Sequence, residues 1–267
     1  MRLLPILFIA LASTSLAAPF KTKAPYALLV DESSGKTLFQ KNADSGMAPA
    51  STTKILTAEI VFSRLAGGQL KLDDTFAVSP HAATEGDAES GGSSMFLKAG
   101  ARVTIDELLQ GLLTDSGNDA AIAIAEGISG SEQAFAGVMN THARTIGMSH
   151  SHFTNPWGRA GNRVTARDMA RLAAYVIATY PQYYKYFSQP ELNFAGIQQK
   201  NRNPLLADGA DGLKTGHLAA SGFGLVGSAV RGGHRLILVL NGLKSEAERA
   251  SEGRRLLEFG FAQVGGG

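Results

Sequence analysis

The sequence predicts an α+β protein in which strands from both ends of the chain form one antiparallel sheet, covered by helices, around a mostly helical middle. Three observations carry this. Short β-prone runs cluster at residues 26–41 and 212–240, apolar residues recur at spacings of three and four between 105 and 179, and no internal repeat or linker-like stretch divides the chain. The 267 residues, 44% hydrophobic and 18% charged, suffice for a full core and exclude a disordered chain. With 25 Lys and Arg against 23 Asp and Glu, the balance lacks the basic footprint of a nucleic-acid binder. The absence of cysteine excludes disulfides, thiolate nucleophiles and iron–sulfur clusters.

Arg2, the apolar run Leu3–Ala12 and the small residues Ala17 and Ala18 read as a secretory signal peptide over 1–17, cleaved after Ala17 or Ala18, with the mature domain at 18–267. The apolar run is too short for a membrane anchor. Tyr26–Asp31 and Lys36–Lys41, joined by Glu32–Gly35, read as a hairpin. Pro49–Leu65 reads as a helix with Ser51 near its start, because Ile55, Leu56, Ile60 and Val61 share one face. Further helices are predicted at Ile105–Leu113, Asn118–Glu126, Ser131–Ile146 and Ala166–Thr179. Three strands, Gly212–Gly216, Gly222–Val230 and Arg235–Leu240, follow, with the sharpest turn at Arg231–His234. A helix at Ser245–Phe259 closes the chain. Its last residues form no basic amphipathic helix, so a soluble product outside the cytoplasm, without a firm membrane anchor, is expected.

Without cysteine, covalent catalysis calls for a hydroxyl with a base beside it. Ser51-Thr52-Thr53-Lys54 qualifies: three residues apart on a helix, Lys54 reaches Ser51, and first-turn amides face a developing oxyanion. The spacing occurs again at Ser33–Lys36, in the presumed turn, where water keeps a lysine charged. Ser116-Gly117-Asn118 reads, taken alone, as a helix N-cap. Lys214-Thr215-Gly216 lies on a strand whose alternation places Lys214 and Gly216 on one side and Thr215 on the other. His81, His142, His150, His152 and His234 show no spacing that completes a metal site, and none is expected. Trp157, the single tryptophan, reads as core, with stacking on substrate the alternative.

In combination and order, S-x-x-K, S-x-N and K-T-G resemble the motif set of the penicillin-binding proteins and serine β-lactamases, and more closely the low-molecular-mass D-alanyl-D-alanine carboxypeptidases. The matching stretches are Ala48–Lys54, Thr114–Ala120, Phe153–Gly158, Asn201–Asn203 and Asp211–His217. The resemblance implies a periplasmic serine peptidase of cell-wall and cell-shape metabolism that trims D-alanine from peptidoglycan stem peptides, needs no cofactor and is acylated by β-lactams. It makes Ser51 the nucleophile and Lys54 its base, with Ser116 and Asn118 relaying protons and holding the substrate amide. Lys214 and Thr215 would bind the terminal carboxylate beside Gly216, backbone N–H groups of Ser51 and His217 would form the oxyanion hole, and Arg202 and Arg249 would stand near the site. Arg249 reads equally well as a solvated residue of the last helix. Gln189–Asn193 mimics a β-lactamase loop, but with glutamine in place of the deacylating glutamate it reads as coincidence. A D,D-endopeptidase, or a penicillin-binding wall protein without turnover, is the alternative.

Overall fold

The computed structural model describes residues 20–85 and 92–265; the leader expected at 1–17 lies outside them. Its frame is a five-stranded antiparallel sheet. The strands are β1 (Tyr26–Asp31), β2 (Lys36–Lys41), β7 (Ala210–Leu218), β8 (Gly222–Arg231) and β9 (His234–Leu243), in the order β2-β1-β9-β8-β7. The two ends of the chain meet where β1 pairs with β9, Leu29 opposite Leu238. Gly232 (φ 57°) and Gly233 (φ 80°) make the tight β8–β9 turn, in the left-handed conformations a two-residue hairpin loop requires.

Both faces of the sheet are covered, which is why its central strands are apolar runs without polar alternation. Leu28, Val226, Ile237 and Val239 face the helical region, whereas Leu29, Leu225, Leu236 and Leu238 pack under Leu256 and Phe261 of α7 (Glu246–Val264). The helical region contains α1 (Lys54–Ala66), α4 (Asn118–Ser129), α5 (Glu132–Ile146) and α6 (Ala166–Thr179). Ser131, Thr165 and Ser245 cap α5, α6 and α7 through their side-chain oxygens. Helix α1 is buried on every side from Lys54 to Phe62, the pattern of a central helix. Each of Ile55, Leu56, Ile60 and Val61 there is worth about 1.5–3 kcal/mol by burial.

Several boundaries differ from the sequence reading. The helix expected from Pro49 begins as a 3-10 turn, Ala50–Thr53, and becomes α-helical only at Lys54. The helix expected at 105–113 splits into α3 (Ile105–Gln110) and a π turn, Gly111–Asp115. The sequence reading also lacks the short helix α2 (Pro80–Glu85) and two ribbons, β3 (Thr75–Ala77) with β4 (Arg102–Thr104) and β5 (Glu191–Phe194) with β6 (Ile197–Lys200). Strands of three or four residues are too short to display a period.

Candidate active site

Two backbone irregularities set the site. Ala50, just before Ser51, has φ 49°, and Ser116 has φ 75° with ψ 31°, both in the left-handed region that non-glycine residues avoid. The N-cap position of α4 is Gly117, and it makes no side-chain cap bond, so Ser116 is not the capping residue the isolated motif suggests. The π turn ends at Ser116, and the hydroxyl is directed toward α1 instead.

There Lys54 is fully buried, with four polar atoms around Nζ: Asn118 Oδ1 at 2.6 Å, Ser51 Oγ at 3.0 Å, the Trp157 carbonyl at 3.2 Å and Ser116 Oγ at 3.5 Å. Two of these atoms are carbonyl oxygens, which only accept. A neutral amine has two N–H groups and one lone pair, so donation to Asn118 and Trp157 leaves the lone pair for the Ser51 hydroxyl. Burial first, and then the Lys214 cation, hold the Lys54 amine well below its ordinary pKa, against the opposing charges of Asp115 and Asp119. The control copy behaves otherwise: Ser33 and Lys36 are exposed in the β1–β2 turn.

The Trp157 carbonyl is delivered by a loop stapled to α1. Asn155 Oδ1 accepts from the backbone of Gly158 (2.8 Å) and Arg159 (3.1 Å), Asn162 Nδ2 donates to Thr53 Oγ1 (3.1 Å), and Thr57 Oγ1 donates to the Pro156 carbonyl (2.6 Å). Gly158 (φ 99°) lies so close to Ala50 that a Cβ would overlap the Ala50 carbonyl. Gly158→Ala is therefore expected to lower stability by about 2 kcal/mol or more through strain and overlap, and to slow acylation by displacing Ser51. Chemical denaturation and penicillin labelling check both effects.

These groups open onto a cleft of about 330 Å³. One wall is edge strand β7, whose Thr215, Gly216 and His217 face the cleft together; the expected division of Thr215 from Gly216 is absent because β7 presents its edge rather than a face. Gly216 is needed, since a Cβ there would meet the Pro49 carbonyl at 2.9 Å and Ser51 N at 3.1 Å. Lys214 is buried at 1% exposure, with Nζ 3.4 Å from the Thr215 carbonyl; burial, then Arg202 and Arg249, lower its pKa to about 7. His217 stacks on Phe223 with centroids 4.0 Å apart.

Arg202 donates to Ser93 Oγ (2.7 Å) at the cleft rim. Arg249 is 5% exposed and lines the cleft, paired with Glu246 at 3.6 Å, so it is not a solvated surface residue. Trp157 packs against the core from its edge, but it is half-buried, lines the cleft and donates Nε1–H to Glu132 Oε2 at 3.0 Å. The histidines are dispersed, His81 on Glu132, His142 on Glu59 and His234 on Asp31, and among the described residues no group of three His, Asp or Glu could hold a metal. Gln189 donates to Gln110 and the Glu191 carbonyl, and does not line the cleft.

The sequence reading does not single out Asp119, which follows the S-x-N motif directly. Its carboxylate accepts from Ser94 Oγ (2.7 Å) and the backbone N–H groups of Met95, Leu97 and Ala120, fixing the segment that forms the cleft roof. An acidic residue in the first turn of α4 was the available signal.

A family model described as D-alanyl-D-alanine carboxypeptidase matches residues 12–245. The D-alanyl-D-alanine carboxypeptidase DacC of Escherichia coli (strain K12) is 40% identical over 261 residues, covering 94% of this chain; the chain spans 65% of that relative's length. Among solved structures, penicillin binding protein 5 from Haemophilus influenzae superposes with a TM-score of 0.88 at 36% identity, over 92% of this chain and 72% of that one. Penicillin-binding protein D2 from Listeria monocytogenes, in an ampicillin-bound form, gives 0.78 at 28% identity, over 91% of this chain and 99% of that one.

Proposed function

The chain belongs to the D-alanyl-D-alanine carboxypeptidase family, and from that premise we propose that it removes the terminal D-alanine of peptidoglycan stem peptides through an acyl-enzyme on Ser51. The observation that carries the reading is the four-point seat of Lys54, which leaves its lone pair for Ser51 Oγ at 3.0 Å.

Lys54 takes the Ser51 proton as Oγ attacks the penultimate D-alanine carbonyl, forming a C–O bond and an oxyanion that the backbone N–H groups of Ser51 and His217 receive. The C–N bond then breaks, and the proton passes from Lys54 through Ser116 to the departing amine. Water hydrolyses the ester by the same route in reverse. Asn118 holds the substrate amide, and Lys214, Thr215 and the neighbouring Arg202 and Arg249 receive the terminal carboxylate. β-Lactams present a strained amide and a carboxylate to the same groups and acylate Ser51. The peptidoglycan lies outside the cytoplasm, which agrees with an export signal at 1–17; no helix among the described residues is long and apolar enough to cross a membrane. Recovery of the processed protein in a periplasmic fraction is the expected result of fractionation.

The pH dependence follows in sign. Acylation needs Lys54 neutral, so the rate rises with pH through its lowered pKa, while carboxylate binding needs Lys214 charged and is lost as pH rises through about 7. A bell-shaped profile of kcat/KM results. The Thr215 hydroxyl on the cleft wall and the buried Lys214 ammonium beside it in β7 select for a free carboxylate, because an amide would leave that lysine unpaired. A D-Ala-D-Ala pentapeptide with a free terminus is expected to be cleaved on the order of a hundredfold faster than the amidated peptide, and Thr215→Val to shrink that ratio. Equal rates on both peptides would favour the endopeptidase reading.

A further inference from the structure

Asp115 precedes Ser116 at the end of the π turn, 1% exposed, and among the described residues neither of its carboxylate oxygens has a hydrogen-bond partner. Buried carboxylates are nearly always paired, so an unpaired one beside a proton-relaying serine requires a reason. The contrast is Asp119, four residues on, which is likewise buried and accepts four hydrogen bonds. The charges that act on Asp115 come from Asp119 on α4, Arg202 beyond β6, Lys214 on β7 and Lys54 on α1. Glu126, later in α4, also has a buried Oε2 without a partner among the described residues; other ionisable groups on the packed elements are engaged elsewhere or face solvent. Asp106 and Glu107 of α3 bind Tyr186 and Thr104, Glu59 of α1 binds His142 and Tyr180, and Lys185, Glu191 and Lys200 are exposed.

We propose that Asp115 is a positioning residue that acts by charge on both site lysines at once, keeping Lys214 protonated for the substrate carboxylate and setting how readily Lys54 gives up its proton. The absence of a fixed partner is what fits it for this: a carboxylate neutralised by one close donor would serve one cation, whereas an unpaired one acts on two. Its charge raises the pKa of each lysine against burial and the crowd of cations. Burial, and then Asp119, push the Asp115 carboxyl itself up to about 6, so its charge is fully present only above that pH.

The inference rests on the roles given to Lys54 and Lys214 above, and its test is separable from them. In Asp115→Asn, which keeps the shape and removes the charge, NMR titration of 13Cε-labelled lysines is expected to show the Lys54 and Lys214 midpoints both lowered by roughly half a unit to one unit. The kcat/KM profile on pentapeptide should move to lower pH on both limbs. Activity at pH 8.5 should then fall about three- to tenfold, mainly through KM, while activity on the acid limb rises. Because a raised carboxyl pKa costs stability above the unfolded value and fully above about 6, Asn should raise Tm at pH 8 and not at pH 4. Thr114→Val, which alters the adjacent unpaired hydroxyl without charge, should leave both midpoints in place. Unchanged lysine midpoints, or a uniform loss of rate with both limbs fixed, would overturn the inference. Shifted midpoints in a protein without peptide turnover would uphold it and refute the peptidase reading.

Discussion

Ser51→Ala is expected to abolish covalent labelling of the protein by a fluorescent penicillin, with no residual band on a denaturing gel. The expectation follows from how the serine is held. Ala50 in a left-handed conformation turns Ser51 into the cleft, Gly216 lets β7 approach its backbone, and Lys54 Nζ stands 3.0 Å from Oγ. Alanine removes the only atom that would form the ester, and no neighbour replaces it: Ser116 Oγ lies 3.5 Å from the same amine, but on the far side of a strained turn that fixes its direction. The fold should survive, because Ser51 is half-buried and, among the described residues, its hydroxyl bonds to Lys54 alone. Ser33→Ala, in the exposed turn, should label like the wild type. Label retained by the Ser51 variant would show that the nucleophile lies elsewhere.

Lys54→Arg is the second large effect, a loss on the order of a hundredfold or more in the acylation rate. Guanidinium keeps its proton at any working pH, so it cannot accept the one Ser51 must lose. Arginine would still donate to Asn118 Oδ1 and the Trp157 carbonyl, and binding of the β-lactam before acylation should therefore change less than the rate. Stopped-flow measurement of the two steps separates them. The wild-type rise of acylation with pH should also vanish, leaving a flat acid limb. Near-wild-type acylation in this variant would remove Lys54 from the proton transfer.

What the sequence could and could not disclose divides along range of interaction. The hairpins and central strands were legible because their apolar runs are long and their turns carry glycine, and α5, α6 and α7 because each pairs a helical period with a Ser or Thr cap. Ser51, Lys54, Ser116, Asn118 and Lys214 were legible as motifs; the fold gathers Ser51, Ser116 and Asn118 around Lys54 and onto one cleft, while Lys214 is buried outside its lining. The π turn was not, since it looks locally like a continuation of α3; only tertiary packing around Ser116 distinguishes it. Burial was equally hidden for Arg249, whose surroundings come from Phe223 on β8, brought under α7 only by the fold. Trp157 was read only in part, because one aromatic residue without a period gives no indication of which side it faces. Asp115 could not be recognised from its own neighbourhood, because its significance lies in having no partner.

The pairing of β1 with β9 bears on the order in which this molecule can assemble. Leu29 and Leu238 sit opposite one another, so β1 pairs with a strand made much later than the first hairpin. Contacts between such distant segments form slowly, since loop closure must precede the gain from packing. Until β9 arrives, β1 exposes an unpaired edge and the apolar residues Leu28 and Leu29, both fully buried in the finished protein. The cleft inherits the same schedule: Ser51 and Lys54 belong to the first quarter of the chain, whereas the wall built by Thr215 and His217 depends on β8 and β9 to hold its position. A nascent chain thus carries Ser51 and Lys54 long before the wall of the cleft exists, and penicillin binding should appear abruptly, late in refolding, as a report that β1 and β9 have met.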